Sequence, residues 1–446
     1  MTSLSSNEER SGGEPRSAMA ARDAASQTDA SAPQSASDAA AFRAGFVAIL
    51  GRPNVGKSTL LNQLLGEKLA IVSPKPQTTR NRLLGIKNAE NAQLALVDTP
   101  GIHRVSGQGR TLLNRFMVEE ALTALADVDV VVLVTDLKRA PDLTKKRRAE
   151  REAKAEKEAA LATAIENGQV PPSNAEAPIA EDPLREAAET VAELMDPGDR
   201  FVVQQLQRSG KPMVLAINKI DLLKEKHLML PLIQQWEKTA EFRAIVPICA
   251  QDGRNVDALL AELCAAVPAG DPLFPEEMLT DRSERFLVEE LVREQIFLTT
   301  RQELPYSVAV TLDEWEERIA DHGKRAGERI GVVITATIHV EKHSHKKIIV
   351  GEHGQMIRDI GTAARIGIGE LLGCNAHLSL FVRVDEDWTA TPGGLRKMGY
   401  EAHLDQILKP KTTNRSGSRK GSPRPASKPS AAPRSAHAES HKGQQQ

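Results

Sequence analysis

Apolar residues in this chain fall into short runs separated by polar stretches that suit helices. Phe46-Val-Ala-Ile-Leu50 reads as a short buried strand, followed by a glycine-bearing turn and a helix from about Lys57 to Leu65. Further apolar runs at 83–87, 93–97, 129–135, 212–217 and 243–249 predict strands, with helical stretches between most of them. Alternation of this kind predicts an open α/β sheet covered on both faces. The rhythm breaks at 138–198. There Thr144 to Ala160 has helix formers and mixed charge without a large apolar face, and Pro171 to Pro183 follows. The pattern predicts a solvated helix on a surface insertion. Val267 to Pro275 has the composition of a linker. Beyond it the pattern predicts a helix (Arg285 to Thr299) and strands at Tyr306 to Leu312 and Gly331 to Glu341. A glycine-punctuated turn with helices comes next, and the last strand is Ala376 to Val384.

The organisation is therefore an extension at 1–42, an α/β domain at 43–268, a linker at 269–280, an α+β domain at 281–408 and a tail at 409–446. Composition refines both ends. Residues 1–42 are rich in Ser, Ala, Asp and Glu and cannot bury enough apolar surface to order themselves. The formal charge of −2 is unevenly spread: from Lys409 onward there are nine Lys or Arg against one Glu, Glu439. Such a basic tail attracts phosphates or simply solubilises. Three separated cysteines form no C-x-x-C pair, which fits a reducing compartment. No apolar run approaches a bilayer span, and the acidic N-terminal stretch does not read as a targeting peptide, so the expected location is cytoplasmic.

Candidate chemistry lies at the ends of the predicted strands. Gly51-Arg52-Pro53-Asn54-Val55-Gly56-Lys57-Ser58, with Thr59 behind it, fits G-x-x-x-x-G-K-[ST] between a strand and a helix. Glycines there let several N–H groups face phosphate oxygens, and the helix N-terminus adds partial positive charge. Lys57 would neutralise β- and γ-phosphate charge, and the Ser58 hydroxyl would bind Mg²⁺. Many ATPases share this loop, so it leaves the base open. Asn218-Lys219-Ile220-Asp221 closes the run 212–217 and reads guanine. Asp221 can accept from guanine N1–H and the exocyclic amine, whereas adenine would leave a buried carboxylate unpaired. Asn218 is expected at the base edge, the Lys219 stem over the ring, and a Cys249-Ala250 N–H at guanine O6. Asp98-Thr99-Pro100-Gly101, followed by Ile102, ends the run 93–97. Asp98 would hold Mg²⁺ through water, and Gly101 would sense the γ-phosphate. Thr78 or, more favourably, Thr79 would ligate Mg²⁺ when that phosphate is present. A kinase could use the same phosphate loop but has no use for N-K-x-D.

The run from Gly51 to Ile86, with DTPG and NKID downstream, resembles the Era branch of the TrmE-Era family of small GTPases. The resemblance covers roughly residues 43–408 without 138–198. It implies a P-loop GTPase domain joined to a type II KH domain, slow GTP hydrolysis, and binding of small-subunit (16S) ribosomal RNA in 30S assembly. It further implies a monomer that associates peripherally with the inner face of the cell membrane and takes no DNA partner. Cys249 departs from the serine usual in the family, and no glutamine follows Gly101 to place a water, so the catalytic group is unassigned. Asn54 matches a position where related GTPases help bind K⁺; a loop-shaping asparagine is the equal alternative.

In the second domain Ile348-Ile-Val-Gly351-Glu-His-Gly354-Gln355-Met-Ile-Arg358 reads as strand, G-x-x-G loop and helix start. Such a loop clamps about four single-stranded nucleotides. Lys346, Lys347, Gly351, Gly354, Gln355 and Arg358 are the expected contacts. Glu352 and His353 stand where KH loops commonly carry Lys or Arg, a departure that costs affinity for phosphate.

Overall fold

The computed structural model describes residues 41–103, 111–137, 195–223, 225–300, 307–322, 326–402 and 404–408, with Leu304 and five residues between 155 and 163. The solvated helix expected at Thr144 to Ala160 lies largely outside the described residues, as do the 1–42 extension (all but its last two residues) and the 409–446 tail.

Six strands form the first sheet: β1 (Arg43–Gly51), β2 (Leu83–Ala89), β3 (Ala92–Asp98), β4 (Val130–Asp136), β5 (Met213–Asn218) and β6 (Ala244–Pro247). Their order is β2-β3-β1-β4-β5-β6, parallel except for β2, which pairs antiparallel with β3. Central strands such as VVVLV are uninterrupted apolar runs because both their faces are covered. On one face α2 (Leu112–Ala124), α3 (Pro197–Gln207) and α4 (Met229–Glu237) bury Ala121, Val202, Leu206 and Trp236. On the other, α1 (Lys57–Leu65) and α5 (Val256–Ala266) bury Leu60, Leu61, Leu64, Leu259 and Leu263. Registers Ile49 with Asp98 and Asp136 with Asn218 bring the carboxyl ends of β1, β3, β4 and β5 to one rim. Ligands of open α/β sheets bind at such a rim.

The second sheet holds β7 (Val308–Ile319), β8 (Arg329–Val340) and β9 (Asn375–Val384), with α6 (Glu284–Thr299), α7 (His343–Val350) and α8 (Gln355–Leu372) on one face. Two expectations need correction. The first strand runs on through Asp313-Glu-Trp-Glu-Glu-Arg to Ile319; at an edge with one face in solvent, charged residues are tolerated there. Ile348-Ile-Val350 ends a helix instead of forming a strand. Its three β-branched residues misled the reading, but the polar HSHKK before them completes an amphipathic turn that buries Ile349.

Two short helices, α9 (Pro392–Lys397) and α10 (Leu404–Leu408), close the chain. Trp388, Leu395, Met398, Tyr400, Leu404 and Ile407 pack on Leu112, Leu113, Phe116 and Met117 of α2, so the second unit sits against the first. The linker is docked as well. Ala269 bridges Arg43, the Gln93 side chain accepts from Leu273 and Phe274 N–H at 2.7 and 2.9 Å, and Phe274 meets Phe46 edge-on. Among the described residues no helix is long and apolar enough to cross a membrane.

Candidate nucleotide site and RNA-binding turn

β1 ends at Gly51, and the chain turns through Arg52 to Gly56 before α1 begins at Lys57. Gly56 has φ 102°, and a Cβ there would lie 2.3 Å from Asn218 Nδ2, so this position takes only glycine. Gly56 caps α1 without a side-chain bond, which leaves the first-turn N–H groups for an anion. Lys57 is buried, with Nζ 3.0 Å from Arg52 O. Burial pulls its ammonium down to about 8 while the nearby Asp98 acts the other way. The loop borders a cleft of ≈ 620 Å³ that Thr59, Gly101 and the segment Ile71 to Thr79 also line.

Ser58 Oγ, Thr79 Oγ1 and Asp98 Oδ2 converge: Ser58 and Thr79 are 2.8 Å apart and lie 2.7 and 3.0 Å from the carboxylate. Asp98 is fully buried, its other oxygen, Oδ1, has no partner, and burial pushes its pKa up against the pull of Lys57. A buried, part-satisfied carboxylate beside two hydroxyls is a hard oxygen donor set, which fits Mg²⁺. Thr99 Oγ1 donates to Ile49 O, and a Cβ on Gly101 would lie 2.6 Å from Pro53 N, so D-T-P-G presses against the phosphate loop. Ile102 is buried, its N–H given to Gly51 O, and His103 Nδ1 lies 3.1 Å from Gly101 O.

The N-K-I-D segment is braced from both sides. Asn218 is buried; its Nδ2 donates to Val55 O at 2.8 Å, and its Oδ1 accepts from Lys219 N and Ala250 N at 2.8 and 2.9 Å. It joins three loops, and its second amide hydrogen is not used in these bonds. A residue pattern tells which segments meet but not which end of an amide faces which neighbour. Lys219 spans from its left-handed backbone to Asn54 O and Asp136 Oδ2, both at 2.6 Å. Ile220 begins a 3₁₀ turn, and Asp221 stands exposed within it, with Oδ1 3.2 Å from Cys249 Sγ. The Cys249 side chain thus touches the Asp221 carboxylate.

Within the phosphate-loop motif the Arg52 side chain faces carboxylates: Nε meets Asp199 at 2.7 Å, Nη2 meets Asp136 at 2.9 Å and Nη1 lies 3.3 Å from Asp196. Asp199 is fully buried and also accepts from Thr135 at 2.6 Å. No motif announced Asp196 or Asp199, which lie about 145 residues from Arg52 in the chain.

In the second domain a turn joins α7 to α8. Gly351 has φ 71°, and a Cβ there would lie 2.9 Å from Met356 N. His353 is left-handed with φ 49°, and both Glu352 and His353 have side chains 91% exposed. Lys346 and Lys347 are exposed on α7. Gln355 and Arg358, expected at RNA, are engaged within the protein. Gln355 donates to Asp359 at 2.7 Å, and Arg358 donates to His353 O at 2.6 Å and Gly354 O at 3.2 Å. Gly354 caps α8 in the left-handed region.

The family described as 50S ribosome-binding GTPase matches residues 46–167, and the KH domain family matches residues 303–389. GTPase Era of Syntrophus aciditrophicus is 40% identical over 359 residues, 80% of this chain and 95% of that protein. The chain belongs to the Era family of GTPases. GTPase Era of Geobacter metallireducens is likewise 40% identical, over 80% of this chain and 98% of its own length. Two solved structures share the fold at a TM-score of 0.63, each covering 80% of this chain and 99% of theirs. One, 34% identical, is Era in complex with MgGDPNP and nucleotides 1506–1542 of 16S ribosomal RNA. The other, 33% identical, is an Aquifex aeolicus Era variant bound to GDP·AlF4⁻.

The KH unit lies against the stretch Lys68 to Arg80, which carries Thr79. Glu294 of α6 holds Lys68 Nζ at 2.7 Å and Val72 N at 2.9 Å, Lys75 donates to Thr300, and Arg80 enters the second unit altogether. On α2, Leu113 N donates to Thr389 O and Arg115 to Ile407 O. These contacts join residues more than 200 positions apart, and no spacing rule could have announced them.

Proposed function

We propose that the protein is a GTP-hydrolysing switch whose nucleotide state governs its grip on the 16S RNA of the small ribosomal subunit during 30S maturation. GTP lies along Gly51 to Thr59, with Asp221 at the base. Ser58, Thr79 and Asp98, whose oxygens converge, would hold Mg²⁺. When bound, the ion offsets charge on the phosphate oxygens. Lys57 supplies a buried positive charge beside it, and Ile102 rather than a water-positioning glutamine follows Gly101, so basal turnover is slow. Single-stranded RNA follows the Gly351 to Gly354 turn beside Lys346 and Lys347. A relative crystallised with both MgGDPNP and a 16S fragment supports the pairing of ligands. The observation that carries the reading is that one stretch, Val72 to Arg80, touches both the metal ligands and the KH unit.

Crosslinking of the full chain to a cell's RNA, with GTP or GDP supplied, tests it. The 3′ region of 16S RNA should be enriched in a nucleotide-dependent way; random transcripts recovered equally with both would overturn the RNA assignment and leave the GTPase assignment standing. A potassium site is a second element of the proposal. Asn54 Nδ2 lies 3.1 Å from Pro74 O, and the amide turned over would set two oxygens side by side at the cleft. Single-turnover hydrolysis should then be severalfold faster in K⁺ than in Na⁺, and equal rates would remove the site. The proposal also has the protein act as a cytoplasmic monomer with peripheral contact to the inner membrane face. Light scattering checks the first part, and co-sedimentation with anionic vesicles checks the second.

A further inference from the structure

Thr79 and Arg80 are adjacent in the chain and engage different parts of the molecule. Thr79 Oγ1 lies 2.8 Å from Ser58 Oγ and 3.0 Å from Asp98 Oδ2. Arg80 is only 1% exposed; its Nη1 donates to Val308 O at 2.7 Å and to Tyr400 Oη at 3.2 Å. Its guanidinium lies 5.9 Å from the centre of the Trp388 ring. Trp388 stacks on Tyr400 with centroids 6.0 Å apart, and its Nε1 donates to Ser307 O. Tyr400 in turn meets Phe116 of α2 edge-on at 5.6 Å. The seat for one switch arginine is therefore built by β7 and residues 388–400, and it also touches the helix that follows D-T-P-G.

Two physical points give this seat a consequence. A guanidinium withdrawn from water is tolerated only where acceptors and a ring face await it, so Arg80 is either seated or solvated. Mg²⁺ demands near-ideal octahedral geometry, so a ligand hydroxyl displaced by an ångström stops being a ligand. One peptide plane links the two side chains. We infer that Arg80 is a positioning residue for the nucleotide: its seat under Trp388 and Tyr400 fixes Thr79 as a metal ligand, so docking of the KH unit favours GTP over GDP. The inference rests on the GTP and Mg²⁺ reading above, in which Thr79 serves only when the γ-phosphate is present. By reciprocity, GTP strengthens the docked arrangement by the same factor.

Affinities of the full chain for GTPγS and GDP in Mg²⁺ test this with Arg80→Gln, Arg80→Lys and Tyr400→Phe. Arg80→Gln should weaken GTPγS by about tenfold, within the usual range of such couplings, with GDP unchanged and more Mg²⁺ needed for half-saturation. Arg80→Lys should recover part of the loss. Equal loss for both nucleotides, or no loss for either, would overturn the role. Should Arg80→Gln fail to fold, Tyr400→Phe decides: it keeps the ring and removes one acceptor, so a loss confined to GTPγS supports the seat and an unchanged ratio sinks it. If the unaltered protein binds GTPγS equally with and without Mg²⁺, the nucleotide reading itself has failed; Mg²⁺-dependent binding with unmoved variants removes only Arg80.

Discussion

The nucleotide rim and the G-x-x-G turn both offer backbone N–H groups to phosphate, yet they are built in opposite ways. At the rim the side chains are buried and braced: Lys57, Asp98 and Asn218 are all inside, each held by a neighbouring loop. At the turn the intervening Glu352 and His353 stand in solvent, and the geometry is kept by two glycines and by Arg358 capping two carbonyls. A buried polar site tolerates one residue type at each position because any other leaves an unpaired group. An exposed turn needs only its backbone shape, so its side chains can drift, as a glutamate beside phosphate illustrates.

That contrast orders the expected effects of substitution. Lys57→Ala removes a buried cation of the phosphate loop and should cost about a hundredfold or more in GTP affinity while the protein keeps its fold. Calorimetry checks the first and thermal melting the second; normal GTP binding by the variant would show the site to be elsewhere. Asp221→Asn exchanges one acceptor for a donor at the base, so preference for guanosine over adenosine nucleotides should fall by about a hundredfold, read by competition with ATP. On the exposed side Gly351→Ala forces a Cβ against Met356 at positive φ, and RNA affinity should drop by about tenfold with nucleotide binding intact. Glu352→Lys is the mildest change and has the opposite sign. RNA binding should tighten, and the slope of log affinity against log salt should steepen by about 0.7, one phosphate contact on a single strand. If Glu352→Lys weakened binding, the side chain between the glycines would matter in a way the contrast denies.

The same contrast explains what could be read in the chain before its shape was known. The G-x-x-x-x-G-K-S, D-T-P-G and N-K-I-D segments were legible because each ends a strand of one parallel sheet, and a parallel sheet gathers its strand ends at one rim. Convergence could be read, but the assignment of contacts could not. That Asn218 bonds Val55 O and the Ala250 N–H depends on rotations within a few ångströms. The helix ending in Ile348-Ile-Val350 was misread because a three-residue apolar run carries no period. The seam was invisible for another reason. Arg80, Trp388 and Tyr400 each look like ordinary residues of their own neighbourhoods, and only folding joins positions 80, 388 and 400.

The Arg52 cluster ties distant parts of the chain together beside the phosphate loop. Asp136 closes β4 and Asp196 caps α3, and one guanidinium holds both, with Asp199 anchoring the second from within the core. Two points 60 positions apart in the chain, Asp136 and Asp196, are thus held to one arginine side chain. Closing a chain between two fixed posts costs only about 0.6 kcal/mol more for each doubling of its length. Posts pinned this way keep the phosphate loop beside them in place whatever length of chain joins them.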